Sequence, residues 1–393
     1  MPRMGREKRS RFRVDTDLGS CNNTSRANCS GDVAQLGERC LRKAEAEGSN
    51  PFISTIWNQC PDALHPGFFV CEDWMEIGFG MYDGCELCPR RCHARRSSGR
   101  AGLCGATATL RVARSALHFW EEPPISGESG SGAIFFTGCP LRCVFCQNHE
   151  ISQEGFGLEV TTARLAQMML ELKDQGANNI NLVTPMHFAP HVRKAVLEAK
   201  AHGMDLPIVC NTSGYENAEV VEAMSDVVDI WLTDFKYASG LVSGSLSAVP
   251  DYPQRAQEAL LKMLAAVRAA GGRSEDAHGI MRRGIIVRHL VLPGHVQDSL
   301  AVLDRVWELC GNDVDLSVMN QYTPNEGCRL AGGDLARAVT DEEYEAVLDH
   351  ADELGFERMW WQQGGTVSES FVPAFDATGV AGPELCGEDG QRS

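Results

Sequence analysis

Three cysteines within eight residues constrain this chain more than any other feature of its sequence. Cys139, Cys143 and Cys146 form a C-x3-C-x2-C pattern directly after an apolar segment, 133–136, that is predicted to be a strand. This spacing lets three thiolates converge on one centre, whereas four cysteines normally close an iron–sulfur cube or a structural zinc site. One metal position would then stay open, and an open iron can bind a small molecule and give it an electron. A zinc knuckle and three buried core cysteines are the alternatives.

The residues around these cysteines resemble a known family. Residues 138–148 read Gly-Cys-Pro-Leu-Arg-Cys-Val-Phe-Cys-Gln-Asn. This stretch resembles the cysteine motif of the radical S-adenosylmethionine (SAM) superfamily and, in its extended form, that of the pyruvate formate-lyase activating enzyme group. The resemblance implies that Cys139, Cys143 and Cys146 hold a [4Fe-4S] cluster whose fourth iron takes the amino and carboxylate groups of SAM. It also implies an α/β fold, the partial (βα)6 radical SAM barrel.

Composition and charge narrow the class of protein further. The chain has 393 residues and 43% hydrophobic content, enough for two domains or one large α/β barrel with extensions. Its net charge of −17 would repel a phosphate backbone, so no nucleic acid partner is expected. Without an apolar run of membrane-spanning length we expect a cytoplasmic protein with no membrane partner. The 16 cysteines fall in short-range groups, which favours metal binding over a disulfide framework.

Residues 1–74 show no sustained helix or strand period, and we expect either a disordered segment or a mis-annotated start. Residues 31–39 can be back-translated as the acceptor strand and D-arm of a transfer RNA gene. Residues 48–55 can be back-translated as a T-loop followed by the complementary acceptor strand. Our hypothesis is that translation begins at Met75 or Met81, and a tryptic peptide from residues 31–55 of the natively expressed protein would contradict it.

A second group of cysteines precedes the first, within a Cys-rich N-terminal region predicted over 75–130. Its members form a C-x2-C-x3-C pattern with a fourth cysteine close behind: Cys85, Cys88, Cys92 and Cys104. Four thiols meet the ligand count and spacing of a closed site for zinc or for a second iron–sulfur cluster. Free structural thiols are the alternative.

Short apolar strands alternate with amphipathic helices over 131–360, the pattern of βαβ units around a parallel sheet. Strands are predicted over 133–137, 179–183, 208–211, 230–235, 284–292 and 316–321. Helices are predicted near 162–175, 190–201, 218–224, 252–270, 298–310 and 341–354. Thr340, followed three residues later by Glu343, predicts a capping box. Six such units agree with the partial (βα)6 barrel, and the polar, glycine-rich residues 361–393 are expected to form a disordered tail.

Polar residues at the carboxyl ends of these strands are candidates for the ligand site, because parallel βα folds bind ligands there. By the resemblance, Asp234 and Lys236 match an Asp-x-Lys on the fourth strand, and Asn211 matches a motif on the third. In the family these positions contact SAM or a nearby monovalent cation. The two-residue period of a strand points Asp234 and Lys236 the same way, although a local ion pair at the barrel rim is the alternative. Gln321 ends the sixth strand and completes the predicted cofactor-binding residues.

Two positions depart from the family pattern. Residues 184–187, Thr-Pro-Met-His, stand where the family has a glycine-rich motif that takes the SAM ammonium. Asn320 and Gln321 stand where many activating enzymes carry a histidine. We therefore expect this chain to hold the amino-acid end of SAM differently from the family. The family's substrate cannot be assigned to this chain. His187 is either a ligand or base, or a packed histidine.

These observations predict a radical SAM oxidoreductase that cleaves SAM reductively and uses the 5′-deoxyadenosyl radical to abstract hydrogen. The resemblance implies a glycyl radical enzyme as the partner to be activated and an electron donor such as flavodoxin or ferredoxin. One alternative is a radical SAM enzyme with a small-molecule or other protein substrate. Another is a non-catalytic iron–sulfur electron carrier, which would keep the cysteines without needing the Asp234-x-Lys236 pair. The sequence assigns no catalytic residue.

Overall fold

A mostly parallel sheet organises the part of the chain that the computed structural model describes, residues 13–14, 80–362 and 372–382. The strands are β1 Arg13–Val14, β2 Arg111–His118, β3 Ser131–Phe136, β4 Leu158–Glu159, β5 Ile180–Val183, β6 Ile208–Thr212, β7 Ile230–Asp234, β8 Ser274–Glu275, β9 Met281–Leu290, β10 Asp315–Met319 and β11 Met359–Gln362. Their order is β1-β11-β10-β9-β7-β6-β5-β3-β2-β4, and β8 pairs with β9. Pairing is parallel from β1 across to β3 and antiparallel at β2, β4 and β8.

Helices follow most of the parallel strands. They are α1 Pro123–Ser126, α2 His149–Ser152, α3 Thr162–Asp174, α4 Ala189–Ala201, α5 Ala218–Met224, α6 Gly240–Ser247, α7 Tyr252–Ala269, α8 Val296–Cys310, α9 Glu326–Ala331 and α10 Asp341–Leu354. No helix within the described ranges is long and apolar enough to cross a bilayer.

The predicted α/β class with its parallel sheet is confirmed. The six predicted strands are β3, β5, β6, β7, β9 and β10, which are neighbours in the sheet in that order. The six predicted helices are present with ends within two residues of the prediction. The capping box is present too, since Thr340 Oγ1 accepts a hydrogen bond from Glu343 N at 3.2 Å and Thr340 N donates to Glu343 Oε2 at 3.0 Å.

Both faces of the central strands are buried, as expected of strands in a parallel sheet covered on both sides. In β7, Trp231 packs into the large core that the helices share, while its neighbour Leu232 points the other way. On that inner side Leu232 and Ile286 form a separate apolar cluster with Ile125 of α1. This cluster occupies part of the inner side of the sheet. The polar residues lie at the carboxyl ends of the strands.

The predictions failed at the edges of the sheet and at the ends of the chain. Strand β2 was not predicted, because its sequence lacks a long apolar run, yet it pairs antiparallel with β3. A disordered tail over 361–393 is wrong for β11 and for residues 372–382, where Ser115 N donates to Thr378 O at 2.9 Å. A long-range backbone bond of this kind leaves no local pattern in the sequence. The rest of that tail lies outside the described residues.

The expected disordered or mis-annotated segment 1–74 also lies outside the described residues, except for β1. Those two residues pair in parallel with β11 and lie at the edge of the sheet. The chain divides into two units by its contacts, and one of them, residues 17–70, falls wholly within the part that is not described.

The chain segments that follow β6 and β7 approach each other closely at the carboxyl ends of these strands. Gly214 follows β6 with φ +79°, and a Cβ added there would lie 2.1 Å from the carbonyl oxygen of Asp234. Tyr252 joins the same two segments, since its hydroxyl donates to Ser213 O at 2.8 Å and accepts from Lys236 N at 2.9 Å. Only glycine fits both the left-handed backbone and the contact at this position.

Gly214→Ala is therefore expected to lower the free energy of unfolding by about 3 kcal/mol, from backbone strain together with overpacking. Gly203→Ala is the matched control, because Gly203 has φ +90° but nothing within 4 Å of an added Cβ. Its cost should be about 1 kcal/mol, from the backbone alone. Urea unfolding of both variants checks the difference, and equal losses would contradict the close contact.

Candidate active site

One pocket at the carboxyl ends of the parallel strands brings the predicted site residues together. It has a volume of about 240 Å³ and is lined by the ends of β3, β5, β6, β7, β9 and β10 and by the cysteine loop. Its lining includes every residue predicted for the first metal site and for cofactor binding: Cys139, Cys143, Cys146, Asn211, Asp234, Lys236 and Gln321. Residues separated by more than 180 positions in sequence thus face one space.

The cysteine loop leaves β3 through a turn that requires glycine. Gly138 has φ +91°, and a Cβ added there would lie 2.7 Å from the carbonyl oxygen of Cys104. The same carbonyl accepts a hydrogen bond from Cys139 N at 3.1 Å. The first cysteine of the loop is therefore held by the last cysteine of the N-terminal group.

The three loop thiols influence one another. Burial raises the pKa of Cys139 well above its ordinary value, and the neighbouring Cys143 and Cys146 raise it further. Burial also raises the pKa of Cys143, and the Lys236 ammonium opposes that shift. Ser247 donates its hydroxyl to Cys143 Sγ at 2.9 Å.

This donor set suits an iron–sulfur cluster. Within the described ranges no three His, Cys, Asp or Glu side chains are arranged to bind a metal ion. The loop thiols would therefore have to rotate to converge on one metal centre. Three neighbouring thiols ionise together most readily beside a strongly cationic centre, since each thiolate opposes the next. Soft thiolate ligands select iron–sulfur clusters, zinc or copper(I).

A charged network faces the loop from the strands. Asp234 Oδ2 lies 2.6 Å from Lys236 Nζ, and Asp234 Oδ1 lies 2.9 Å from Arg288 Nε. Arg288 also donates through Nη2 to Asn211 Oδ1 at 2.7 Å. Burial alone would raise the pKa of Asp234, but the two cations outweigh burial and hold that pKa below its ordinary value. The carboxylate therefore stays ionised inside the pocket.

The two interpretations of Asp234 and Lys236 left open by the sequence are compatible. They do form an ion pair, as the structural alternative expected, and their side chains are only 13% and 18% exposed. Both also line the pocket, and Lys236 acts electrostatically on Cys143. A buried ion pair with one face toward an open pocket can exchange contacts with a polar ligand.

The sequence analysis missed the carboxylates Glu121 and Glu122, which line the same pocket. Glu121 Oε2 lies 3.6 Å from Arg288 Nη1. Burial raises the pKa of Glu122 to about 7, and Arg288 opposes the shift. These residues lie between β2, which was not predicted, and α1, so a search at the ends of the predicted strands does not find them.

Arg288 lies within the fifth predicted strand, but the sequence did not assign it to the site. Its place beside Asp234 depends on the register of β7 and β9, which the sequence does not reveal. The available signal was a cation directly after the apolar run Ile285-Ile286-Val287.

The departure at residues 184–187 keeps a glycine-like turn. Thr184 follows β5, lines the pocket and has φ +58°, a conformation that glycine adopts freely and other residues seldom do. His187 is not among the pocket residues. Its Nε2 lies 2.9 Å from Thr137 O, and burial lowers its pKa to about 3. Of the two interpretations of His187, the packed histidine agrees with this position.

The N-terminal cysteines lie behind the loop and do not line the pocket. Cys85, Cys88 and Cys104 are buried, and Cys92 is partly exposed. A Cβ added to Gly102 would lie 3.2 Å from Cys92 Sγ and 3.4 Å from Cys104 Sγ, so these two sulfurs flank one glycine.

The chain is similar to known proteins. Residues 133–301 match the family model of the radical SAM superfamily. A similar protein is an uncharacterized protein of Methanocaldococcus jannaschii, 26% identical over 296 residues, which cover 73% of this chain and 79% of that protein. The cofactors that the superfamily implies are a [4Fe-4S] cluster and SAM.

Two solved structures are also similar. Streptococcus suis SuiB bound to precursor peptide SuiA matches with a TM-score of 0.40 and 11% identity. That match covers 57% of this chain and 46% of SuiB, so it spans less than half of SuiB. A radical SAM methyltransferase from Sphaerobacter thermophilus matches with a TM-score of 0.40 and 13% identity, over 61% of this chain and 68% of that one.

A buried histidine next to the network is expected to make the stability of the protein depend on pH. Arg288 and Leu290 line the pocket, so His289 between them points to the opposite face of β9. His289 Nδ1 lies 2.9 Å from Phe235 O, while Nε2 is buried without a hydrogen-bond partner among the described residues. Burial lowers the pKa of His289 from 6.5 to about 4.

Below pH 6.5 the unfolded chain therefore protonates this histidine before the folded chain does, and the free energy of unfolding falls as the pH falls toward 4. His289→Asn keeps a donor for Phe235 O but cannot be protonated. Between pH 7 and pH 4.5 the variant should lose about 2 kcal/mol less stability than the parent. His202→Asn, on an exposed histidine, is the control. Parallel curves for parent and His289→Asn in urea unfolding would contradict the argument.

Proposed function

We propose that this chain, which carries a radical SAM domain over residues 133–301, is an iron–sulfur oxidoreductase that cleaves SAM reductively. The observation that carries the proposal is the pairing of two sets of groups in one pocket, three thiols on a loop and an ionised network on the facing strands. An electron carrier would need the thiols alone. A pocket with an ionised carboxylate, two cations and an amide beside them is suited to a zwitterionic ligand.

Cys139, Cys143 and Cys146 are the proposed cluster ligands. When bound, the cluster supplies the electron that breaks the 5′ carbon–sulfur bond of SAM, yielding methionine and a 5′-deoxyadenosyl radical that abstracts hydrogen from a substrate. Ser247 would support the Cys143 thiolate through its hydrogen bond to the sulfur. The apolar lining residues Phe135, Leu290 and Met319 would help to exclude water.

The strand-end residues are the proposed SAM ligands. Asp234 and Asn211 present acceptors that suit ribose hydroxyls or an ammonium, and Lys236 and Arg288 present donors that suit a carboxylate. Gln321 lines the same pocket from beyond β10. Each cation already has Asp234 as a partner, so a ligand carboxylate would join an existing network. That arrangement holds the donors in place before the ligand arrives.

For the substrate we propose a partner protein, a glycyl radical enzyme, with a low-potential electron donor such as flavodoxin or ferredoxin. Support comes from the extended motif at 138–148 and from a parallel sheet that does not close in the described residues, with β1 and β4 at opposite ends of its strand order. An anaerobic mixture with such a partner should produce a glycyl radical signal in electron paramagnetic resonance. SAM cleavage without that signal would favour a small-molecule or other protein substrate.

Protein reconstituted without oxygen tests the central activity. The parent should hold about four irons at the first site and release 5′-deoxyadenosine from SAM with dithionite. Cys143→Ala should lose cleavage, because it removes one of only three ligands. Cys310→Ala, at a buried cysteine that ends α8 and lies outside the pocket, should keep it.

Asp234→Asn should retain the iron but need at least about tenfold more SAM for half-maximal cleavage, because it removes the carboxylate that organises both cations. Iron in the parent without any deoxyadenosine would contradict the proposal and favour the electron carrier.

A further inference from the structure

The four N-terminal cysteines form a compact knuckle that the proposed function does not use. Cys85 N donates to Ala94 O at 3.1 Å, and His93 N donates back to Cys85 O at 3.1 Å, so the chain folds on itself between the first and third cysteines. Arg91 N closes a tight turn on Cys88 O at 3.0 Å. Arg91 and His93 have φ of 38° and 51°, which non-glycine residues seldom adopt.

A glycine turn brings the fourth cysteine to this knuckle. Gly105 N donates to Gly102 O at 3.0 Å, which bends the chain around Cys104. A Cβ added to Gly102 would touch the sulfurs of both Cys92 and Cys104, and the side chain of Arg96 lies 3.7 Å from the same point. Two sulfurs that are 12 residues apart are therefore packed against one position.

A buried cation in the knuckle has no carboxylate partner among the residues that the structure describes. Arg96 is 1% exposed, and its guanidinium donates to His187 O at 2.7 Å and to Thr107 O at 2.9 Å. It also lies over the rings of Tyr82, at 4.7 Å, and Phe188, at 5.3 Å. Among the described residues no Asp or Glu lies within ion-pair distance of it. A buried charge without a counter-charge is strongly unfavourable.

A thiol of the knuckle contacts this cation. Arg96 Nη1 lies 3.5 Å from Cys85 Sγ. A metal bound by four thiolates carries net negative charge, about −2 for zinc or for an oxidised [4Fe-4S] cluster, and would neutralise Arg96. The arginine is thus an independent sign of an anionic centre at the knuckle.

We propose that Cys85, Cys88, Cys92 and Cys104 bind a thiophilic metal centre, one zinc ion or one iron–sulfur cluster, with Arg96 as its buried counter-charge. The thiols release their protons and rotate inward on a backbone that already has the required turns. With four protein ligands the centre is closed, so it binds no substrate.

The proposed metal centre lies where it can support the backbone around the pocket. Its ligand Cys104 accepts the hydrogen bond from Cys139 N, and Arg96 donates to the carbonyl of His187, three residues after the pocket residue Thr184. The centre therefore supports the cysteine loop and the turn after β5 from behind.

The test removes the first site so that any remaining metal belongs to the second. A full-length chain with Cys139, Cys143 and Cys146 all replaced by alanine is purified without oxygen, and zinc and iron are counted per chain. We expect about one zinc, or about four irons with sulfide and a visible charge-transfer band. Adding Cys88→Ser and Cys104→Ser should abolish the retained metal, whereas adding Cys310→Ser should not.

Less than about a tenth of a metal per chain in the folded triple variant would overturn the proposal, as would metal that survives Cys88→Ser with Cys104→Ser. If the variant with Cys88→Ser and Cys104→Ser does not fold, Arg96→Gln in the triple-alanine chain tests the proposal instead. The amide is polar but carries no charge, so loss of metal to a chelator should be at least tenfold faster, and an unchanged rate would overturn the role of Arg96. SAM cleavage by the parent is measured separately, so failure here is distinct from failure of the proposed function.

Discussion

The buried ion network of Asp234 is the interaction on which the pocket depends. A carboxylate on the inner side of a parallel sheet would normally take up a proton, but two cations from neighbouring positions keep this one charged. Arg288 reaches it from the adjacent strand, and Lys236 reaches it from two residues further along the chain. The network therefore ties β7, β9 and, through Asn211, β6 together at the edge where the cysteine loop arrives. Removal of Asp234 would take the carboxylate partner from Lys236 and leave Arg288 with Glu121 and Asn211.

The cysteine loop depends in turn on the N-terminal knuckle. Gly138 and Cys104 approach so closely that no side chain fits between them, and one backbone hydrogen bond joins the two cysteine groups. The pocket is thus built from two directions, by charged residues on the strand ends and by a loop supported from behind. Residues 372–382 add a third wall, since Val372 and Pro373 line the pocket and Phe375 packs edge-on against Phe135 with ring centroids 5.5 Å apart.

Local patterns in the sequence predicted much of this arrangement. The alternation of apolar strands and amphipathic helices placed the six central strands, and short-range spacing identified both cysteine groups. The resemblance added Asn211, Asp234 and Lys236, all of which face the pocket. What could not be predicted depends on long-range register. Arg288 lies opposite Asp234 because β7 and β9 pair in one particular register, and Glu121 reaches the site from the segment between β2 and β3. The tail residues were misjudged for the same reason, since their polar composition indicates disorder while their partners lie on β2.

The central claim is that three thiols hold a cluster with one open iron that SAM occupies. The most direct measurement is the electron paramagnetic resonance spectrum of the reduced cluster with and without SAM. Addition of SAM should shift the g-values of the parent protein, because a ligand that binds the open iron changes its electronic environment. A spectrum unchanged at saturating SAM, from a chain that contains the reduced cluster, would contradict the account.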